Sequence, residues 1–376
     1  MVSLSRQSRN SFAKWLWTID KITLFLSIAL LLIGLLLDIT ASPAVARRDN
    51  YDEYHFVRKQ IVYVFASIGV IFSLSLLRLK TIRRLSILGF IVFLGLLIVT
   101  VFWGMENKGA RRWLSICGFS LQASEFMKPI LIIVTAWLLD CGKRFDDFQG
   151  MLISIVLFGA VAGLLLLQPD IGMTVLYTAV FALQLFLAGL PIILVTVLAI
   201  AGVASLVLFY FIFPHFHARV DQFLYGSNET SYQINKAMEA FQNGNLVGRG
   251  PGEGTVKLQI PDAHTDFIFA VAGEEYGVWL CIIIIALFSI IVIRALRAAM
   301  KETNLFVMYA EVGLAASIGI QAFINMASSL HIIPTKGMTL PFISYGGSSL
   351  LGSAMEIGML LALTRQNTAS EDKDLS

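Results

Sequence analysis

Long apolar stretches with few charges recur along almost the whole chain, and they constrain the fold more than any other feature. A bilayer core is about 30 Å thick, so a helix needs about 20 mostly apolar residues to cross it. Stretches of this kind lie at about 22–40, 57–77, 85–103, 125–139, 151–167, 171–189, 191–213, 266–293, 305–330 and 340–364, the fourth and fifth being short. A lipid-exposed segment must satisfy its backbone groups internally, and segments this apolar do so as helices. The expected fold is therefore an all-α polytopic membrane protein of about ten transmembrane helices. Its largest extracytoplasmic loop, 214–265, falls between the seventh and eighth spans. The 57% hydrophobic and 14% charged composition agrees, since soluble domains are about half apolar and a quarter charged.

The chain divides into a cytoplasmic segment 1–21, one membrane domain 22–365 and a solvated cytoplasmic tail 366–376, with no visible internal repeat. Arg6, Arg9, Lys14 and Lys21 precede the first apolar run, and Ala44-Val45-Ala46 imitates a signal-peptidase site. The run is longer than a signal core, and Pro43 and Arg47 crowd the site, so an uncleaved first span is expected. The Lys and Arg count favours cytoplasmic termini by a small margin. Density is more telling: Arg78, Lys80, Arg83 and Arg84 crowd one loop without an acid, whereas Ala41–Phe56 mixes Arg47 and Arg48 with Asp49, Asp52 and Glu53.

Several function classes drop out. The net charge of +3 comes without a basic run, so nucleic acid is not an expected partner. The three cysteines are far apart, and His215, His217 and His264 lack metal-ligand spacing, so no metal site is expected from the residues.

Three outward loops hold most of the polar residues. Gly104–Ser124 carries Arg111, Arg112 and Trp113, which suit an interfacial anchor, and runs into a span where Ser124 would cap and Pro129 would occupy the first turn. That places Lys128 just inside the span. In the 214–265 loop, apolar residues at 234, 237, 238 and 241 predict a short amphipathic helix ended by Asn243-Gly244-Asn245. Gly248-Arg249-Gly250-Pro251-Gly252-Glu253-Gly254 follows, either a phosphate cradle or a flexible turn. The third loop, from His331, enters a span rich in small residues that allow close helix packing.

Acids within spans are costly and default to functional hypotheses: Asp170, Asp266, Glu274, Glu275 and Glu356. Asp266 opens the eighth span, where it would be either a helix cap or a partly desolvated general base. Glu274 or Glu275, about 12 Å deeper along a helix, is expected to pair with a buried cation such as Lys128.

Lys108–Trp113, Ser124–Pro129, Gln168-Pro169-Asp170, Gly248–Gly254, Pro261–Phe269 and Pro334–Ser349 occur in an order that resembles the SEDS family, most closely its division branch. Asp262, where Glu is more usual, and His331, where a small residue is expected, are the departures. The resemblance implies a multi-pass fold in the cytoplasmic (inner) membrane with both termini cytoplasmic. It implies a peptidoglycan glycosyltransferase that polymerises lipid II, an undecaprenyl-pyrophosphate-linked substrate, with a class B penicillin-binding protein transpeptidase and other division proteins as partners. The family's essential loop acid maps onto Asp266. A base for the attacking sugar hydroxyl and cations for the departing pyrophosphate would suffice, and Arg111, Arg112, Lys128, Arg249, Lys257 and Lys336 compete for the second role, Arg112 and Lys128 foremost. No cofactor is implied with certainty; a divalent cation (Mg or Mn) stays open. A lipid II flippase, an elongation polymerase and an inactive scaffold are the rival readings.

Overall fold

The computed structural model describes residues 11–48, 50–107, 110–116, 119–145, 147–191, scattered positions between 193 and 221, 229–334 and 337–365. Helices α1 (Ser11–Thr18), α2 (Lys21–Arg48), α3 (His55–Ser75) and α4 (Leu79–Trp103) are followed by a small antiparallel sheet, β1 (Met105–Asn107), β2 (Ala110–Ile116) and β3 (Phe119–Leu121), in the order β1-β2-β3. Then come α5 (Ala123–Arg144), α6 (Gly150–Leu167), α7 (Ile171–Leu187), α8 (Glu229–Gly244), a short 3-10 turn (Val256–Gln259), α9 (Ile268–Ala299), α10 (Leu305–Ser329) and α11 (Gly347–Leu363).

Each expected span except the seventh has a helical counterpart. The seventh, 191–213, falls largely outside the described residues, and its described interior positions are helical. Among the described residues six helices, α2, α3, α4, α6, α9 and α10, are long and apolar enough to cross a membrane, while α7 and α11 are apolar but shorter. The sheet was not expected: it forms in the loop between α4 and α5. Burial separates centre from periphery. The most apolar part of α10 is 72% buried, against 22% for α4 and for α6, so α10 runs through the middle of the bundle and the other two face lipid.

Four boundaries differ from expectation, each for a local reason. Helix α2 continues through Pro43 to Arg48, so Ala44–Ala46 is helix, with Val45 and Ala46 buried. Helix α5 begins at Ala123, which places Ser124 and Pro129 inside it, neither at the cap nor in the first turn. Helix α9 breaks at Gly277, whose φ of 72° and ψ of −170° only glycine adopts readily. Helix α11 starts at Gly347, not near 340, because Pro341, Phe342 at φ 65° and Gly346 hold a turn. The small residues of α11 do permit close packing: a methyl group on Gly352 would lie 2.7 Å from the Glu125 carbonyl oxygen.

Candidate active site

Asp266 lies in the turn that feeds α9. The backbone N–H groups of Thr265 and Asp266 both donate to the Asp262 carbonyl at 3.1 Å, with Asp262 itself at φ 56°. The N-cap position falls on Phe267, one residue later, so Asp266 does not occupy the capping position that its place in the sequence suggested. Phe267, Ile268 and Phe269 are buried immediately after it, which leaves Asp266 half-buried at the edge of the apolar bundle.

Two other segments fix that turn. From α10, the Asn325 side-chain amide donates to the Asp266 carbonyl (3.1 Å) and to the Met338 carbonyl (2.6 Å). From the 337–346 stretch, Tyr345 N–H donates to the His264 carbonyl (2.9 Å), and the Ser344 hydroxyl donates to the Thr265 carbonyl (2.5 Å) while accepting from Leu340 N–H (2.8 Å). The His264 ring packs against Phe56 and Tyr345. Gly337, at φ 61°, lies beside the carboxylate: a methyl group there would be 3.5 Å from Asp266 Oδ2.

A second polar group lies one helical turn along α10. Gln321 donates to the Thr339 carbonyl (3.1 Å) and accepts from the buried Lys128 ammonium. Lys128 Nζ is 3.4 Å from Glu125 Oε2 and 3.4 Å from Glu356 Oε2, and the Ser317 hydroxyl donates to Glu356 Oε1 at 2.6 Å. Thus Ser317, Gln321 and Asn325, spaced by four and therefore on one helix face, form a polar column linking the Lys128 cluster to the Asp266 turn. The sequence reading passed over this column. Its signal was present in the four-residue spacing of polar residues within an otherwise apolar span, which places them on a buried face. The cavity beside Lys128, between Thr135, Tyr177 and Gln184, has a volume of only about 10 Å³, room for about one water.

Glu274 and Glu275 do not pair with Lys128. They turn instead toward the glycine-rich loop, which replaces the backbone partners that the break in α9 removes. Arg249 and Gly250 N–H donate to the Glu274 and Glu275 carbonyls (2.9 and 3.0 Å), and Val278 N–H donates to Asn245 O (3.1 Å). The Glu274 carboxylate accepts from the N–H groups of Thr255, Val256 and Lys257 at 2.8–2.9 Å and from the Asn243 amide at 3.1 Å. Glu275 pairs with the Lys257 ammonium and accepts from Gly252 N–H (3.3 Å). Of the N–H groups in the loop that was a candidate phosphate cradle, that of Gly252 meets the Glu275 carboxylate, and those of Gly248, Arg249, Gly250 and Glu253 donate to the chain's own carbonyls. The amphipathic helix expected beside this loop is α8, with Ile234, Ala237 and Ala240 buried and Phe241 against Phe269.

The five candidate cations among the described residues are not brought to one point. Lys128 and Lys257 are buried within ion pairs. Arg112, with a side chain 17% exposed, donates to the Pro169 carbonyl (2.6 Å) and lies 3.7 Å from Asp170, which in turn caps α7 through Met173 N–H. Arg249 is exposed and bonded to Asn243. Arg111 is half exposed, 3.4 Å from Glu106. Lys336 lies outside the described residues. Among the described residues no three metal-ligating side chains converge, so they form no protein cage for a divalent cation.

Comparison with known proteins agrees with this architecture. The family model described as "Cell cycle protein", which groups FtsW, RodA and SpoVE, matches residues 21–369. The chain belongs to the FtsW/RodA/SpoVE family. The probable peptidoglycan glycosyltransferase FtsW of Caulobacter vibrioides is 42% identical over 97% of this chain and 94% of its own. Among solved structures, a chain from a study of polymerization and crosslinking by a peptidoglycan synthase complex superposes with a TM-score of 0.77 at 25% identity, covering 93% of this chain and 99% of that one. The Thermus thermophilus rod-shape-determining protein RodA shares the fold, with a TM-score of 0.69 at 24% identity over 93% of this chain and 98% of its own.

Proposed function

We propose that this family member is a peptidoglycan glycosyltransferase of cell division that polymerises lipid II, with Asp266 as general base. The observation that carries the reading is a half-buried carboxylate on a turn whose backbone is held by α10 and by the 337–346 stretch, placed beside a glycine that leaves room next to it. The naming of the FtsW relative as a glycosyltransferase supports the activity. Likeness to a chain of a peptidoglycan synthase complex supports assembly with a class B penicillin-binding protein that crosslinks the product. In this reading the Asp266 end faces outward from the inner membrane and both termini are cytoplasmic.

Asp266 takes the proton from the 4-hydroxyl of an acceptor sugar as that oxygen forms its bond to the anomeric carbon of the donor. The bond from that carbon to the pyrophosphate oxygen breaks, and undecaprenyl pyrophosphate leaves with the electron pair. A diphosphate leaving group needs charge stabilisation more than a proton. Arg111 and Arg249, the exposed cations, together with Lys336, are assigned the direct contact; Arg112, Lys128 and Lys257 hold the frame. The residues described supply no cage for a metal.

The test is polymer formation from labelled lipid II by the purified protein with its transpeptidase partner, wild type against Asp266→Asn. A positioned base contributes roughly 10²–10⁴-fold, so the variant is expected to lose at least that lower factor while remaining folded. Undiminished polymer from the variant sinks the base assignment. The buried column on α10 favours a second reading, a lipid II flippase. Flipping in vesicles by a wild-type protein that makes no polymer would select it.

A further inference from the structure

At the end of the bundle opposite Asp266, the α1–α2 junction, the end of α9, the start of α10 and the end of α11 enclose a recess of about 790 Å³. Its charges are unequally committed. Asp20 is taken by Arg294 (2.7 Å) and by the Thr23 hydroxyl (2.6 Å). Glu302 is turned onto its own loop, accepting from Thr303 and Asn304 N–H at 3.0 and 3.1 Å. Arg297 and Lys301, both exposed on the recess wall, have no acidic partner among the described residues. Glu311 also faces the recess. It is 1% exposed, and its Oε2 has no hydrogen-bond partner.

We propose that this recess binds the headgroup of an anionic phospholipid that also carries a hydroxyl, of the phosphatidylglycerol type. The recess lies where four apolar helices end, the depth at which headgroups sit, and basic pockets between helix ends suit lipid phosphates. Arg297 and Lys301 supply paired cations for the phosphodiester, Arg as a planar fork and Lys as a point charge. Glu311 needs a donor, because an unpaired buried carboxylate oxygen is costly, and a headgroup hydroxyl provides one. The acyl chains have a path: Ile22 and Phe25 on α2 are 50% and 70% exposed, and Ile293 on the adjoining α9 is 47% exposed. The proposal goes beyond the glycosyltransferase reading and depends neither on Asp266 nor on which end faces outward.

The experiment uses the full chain in phosphatidylcholine nanodiscs doped with phosphatidylglycerol or with phosphatidic acid, the bound lipid being counted by native mass spectrometry. Wild type is expected to retain phosphatidylglycerol over both other lipids. Arg297→Gln with Lys301→Gln should lower that retention roughly tenfold, near-surface cations each contributing several-fold. Glu311→Leu should erase the preference for phosphatidylglycerol over phosphatidic acid. Arg78→Gln with Lys80→Gln removes the same charge from another loop and should change nothing. Both Arg297 and Lys301 are exposed, so folding should survive; Lys301→Gln alone, with a several-fold loss, is the fallback if the double variant misfolds. An equal loss in the Arg78/Lys80 control would reduce the effect to general surface charge and overturn the site. Displacement of the lipid by inorganic phosphate or glycerol 3-phosphate would make it a soluble-anion site and overturn the lipid assignment.

Discussion

Two clusters in this protein have the same inventory, one buried lysine and two buried glutamates, and opposite construction. Around Lys257, the carboxylates of Glu274 and Glu275 are met by backbone N–H groups at 252 and 255–257, so the anions are compensated by fixed dipoles as well as by the ammonium. Around Lys128, every partner is a side chain, and the partners come from three helices, α5, α10 and α11. The first cluster is a local fastening that closes a loop over the break in α9. The second joins the centre of the bundle and leads, through Gln321 and Asn325, to the Asp266 turn. Charge content alone does not separate a fastening from a working site; the source of the hydrogen bonds does.

The largest expected effect tests that difference directly. Lys257→Met strands the buried Glu275, and Lys128→Met strands Glu125 and Glu356; breaking such a group costs about 3–5 kcal/mol, visible in each case as a fall in thermal midpoint. Neutralising an acid as well should recover much of the stability, since replacing a buried pair by neutral groups is often nearly neutral. Lys257→Met with Glu275→Gln should then polymerise lipid II, whereas Lys128→Met with Glu356→Gln should be stable but impaired. Equal activity in the two double variants would erase the distinction.

A middle-sized effect compares two glycines at positive φ. Gly277→Ala forces a side chain into a glycine-only region and against the Leu246 backbone, with strain alone worth about 1–3 kcal/mol. Gly337→Ala, at φ 61° with its new methyl at ordinary contact distance from Asp266 Oδ2, should cost about 1–2 kcal/mol. Its activity should fall further than its stability, measured as kcat at saturating lipid II against thermal midpoint. The reverse order would put the working site in the glycine-rich loop.

Much of this was legible in the sequence because a bilayer allows few solutions. Apolar length alone placed a helix in each expected span that the described residues cover, and the four-residue pattern from Ile234 to Phe241 placed α8. The partners of Glu274 and Glu275 were not legible, because helical rise assumes an unbroken helix and nothing local to Gly277 announces that a distant loop will replace its lost hydrogen bonds. The start of α11 was missed because apolar character extends through 340–346 while Pro341 and Gly346 disrupt the helix there. Asp266 was identified by its order among matched motifs; its place one residue ahead of the cap required coordinates. The small sheet escaped because its longest strand, β2, carries Arg111, Arg112 and Trp113, which read equally well as an interfacial anchor.

The smallest structural effect gives the cleanest functional reading. Adjacent in β2, Arg112 is engaged by the Pro169–Asp170 turn, whereas Arg111 reaches out to Glu106, with side chains 51% and 61% exposed. An exposed pair of this kind contributes about 0–1 kcal/mol, so Arg111→Gln should leave the thermal midpoint nearly unchanged. If Arg111 contacts the pyrophosphate, polymerisation by that variant falls several-fold, Arg111→Lys restores part of it as a point charge without the planar fork, and the wild-type advantage shrinks as salt rises. Arg112→Gln should instead lower stability and activity together, because it releases the turn that caps α7. Full activity in Arg111→Gln would leave Arg249 and Lys336 as the direct contacts and move the leaving-group end of the site away from the sheet.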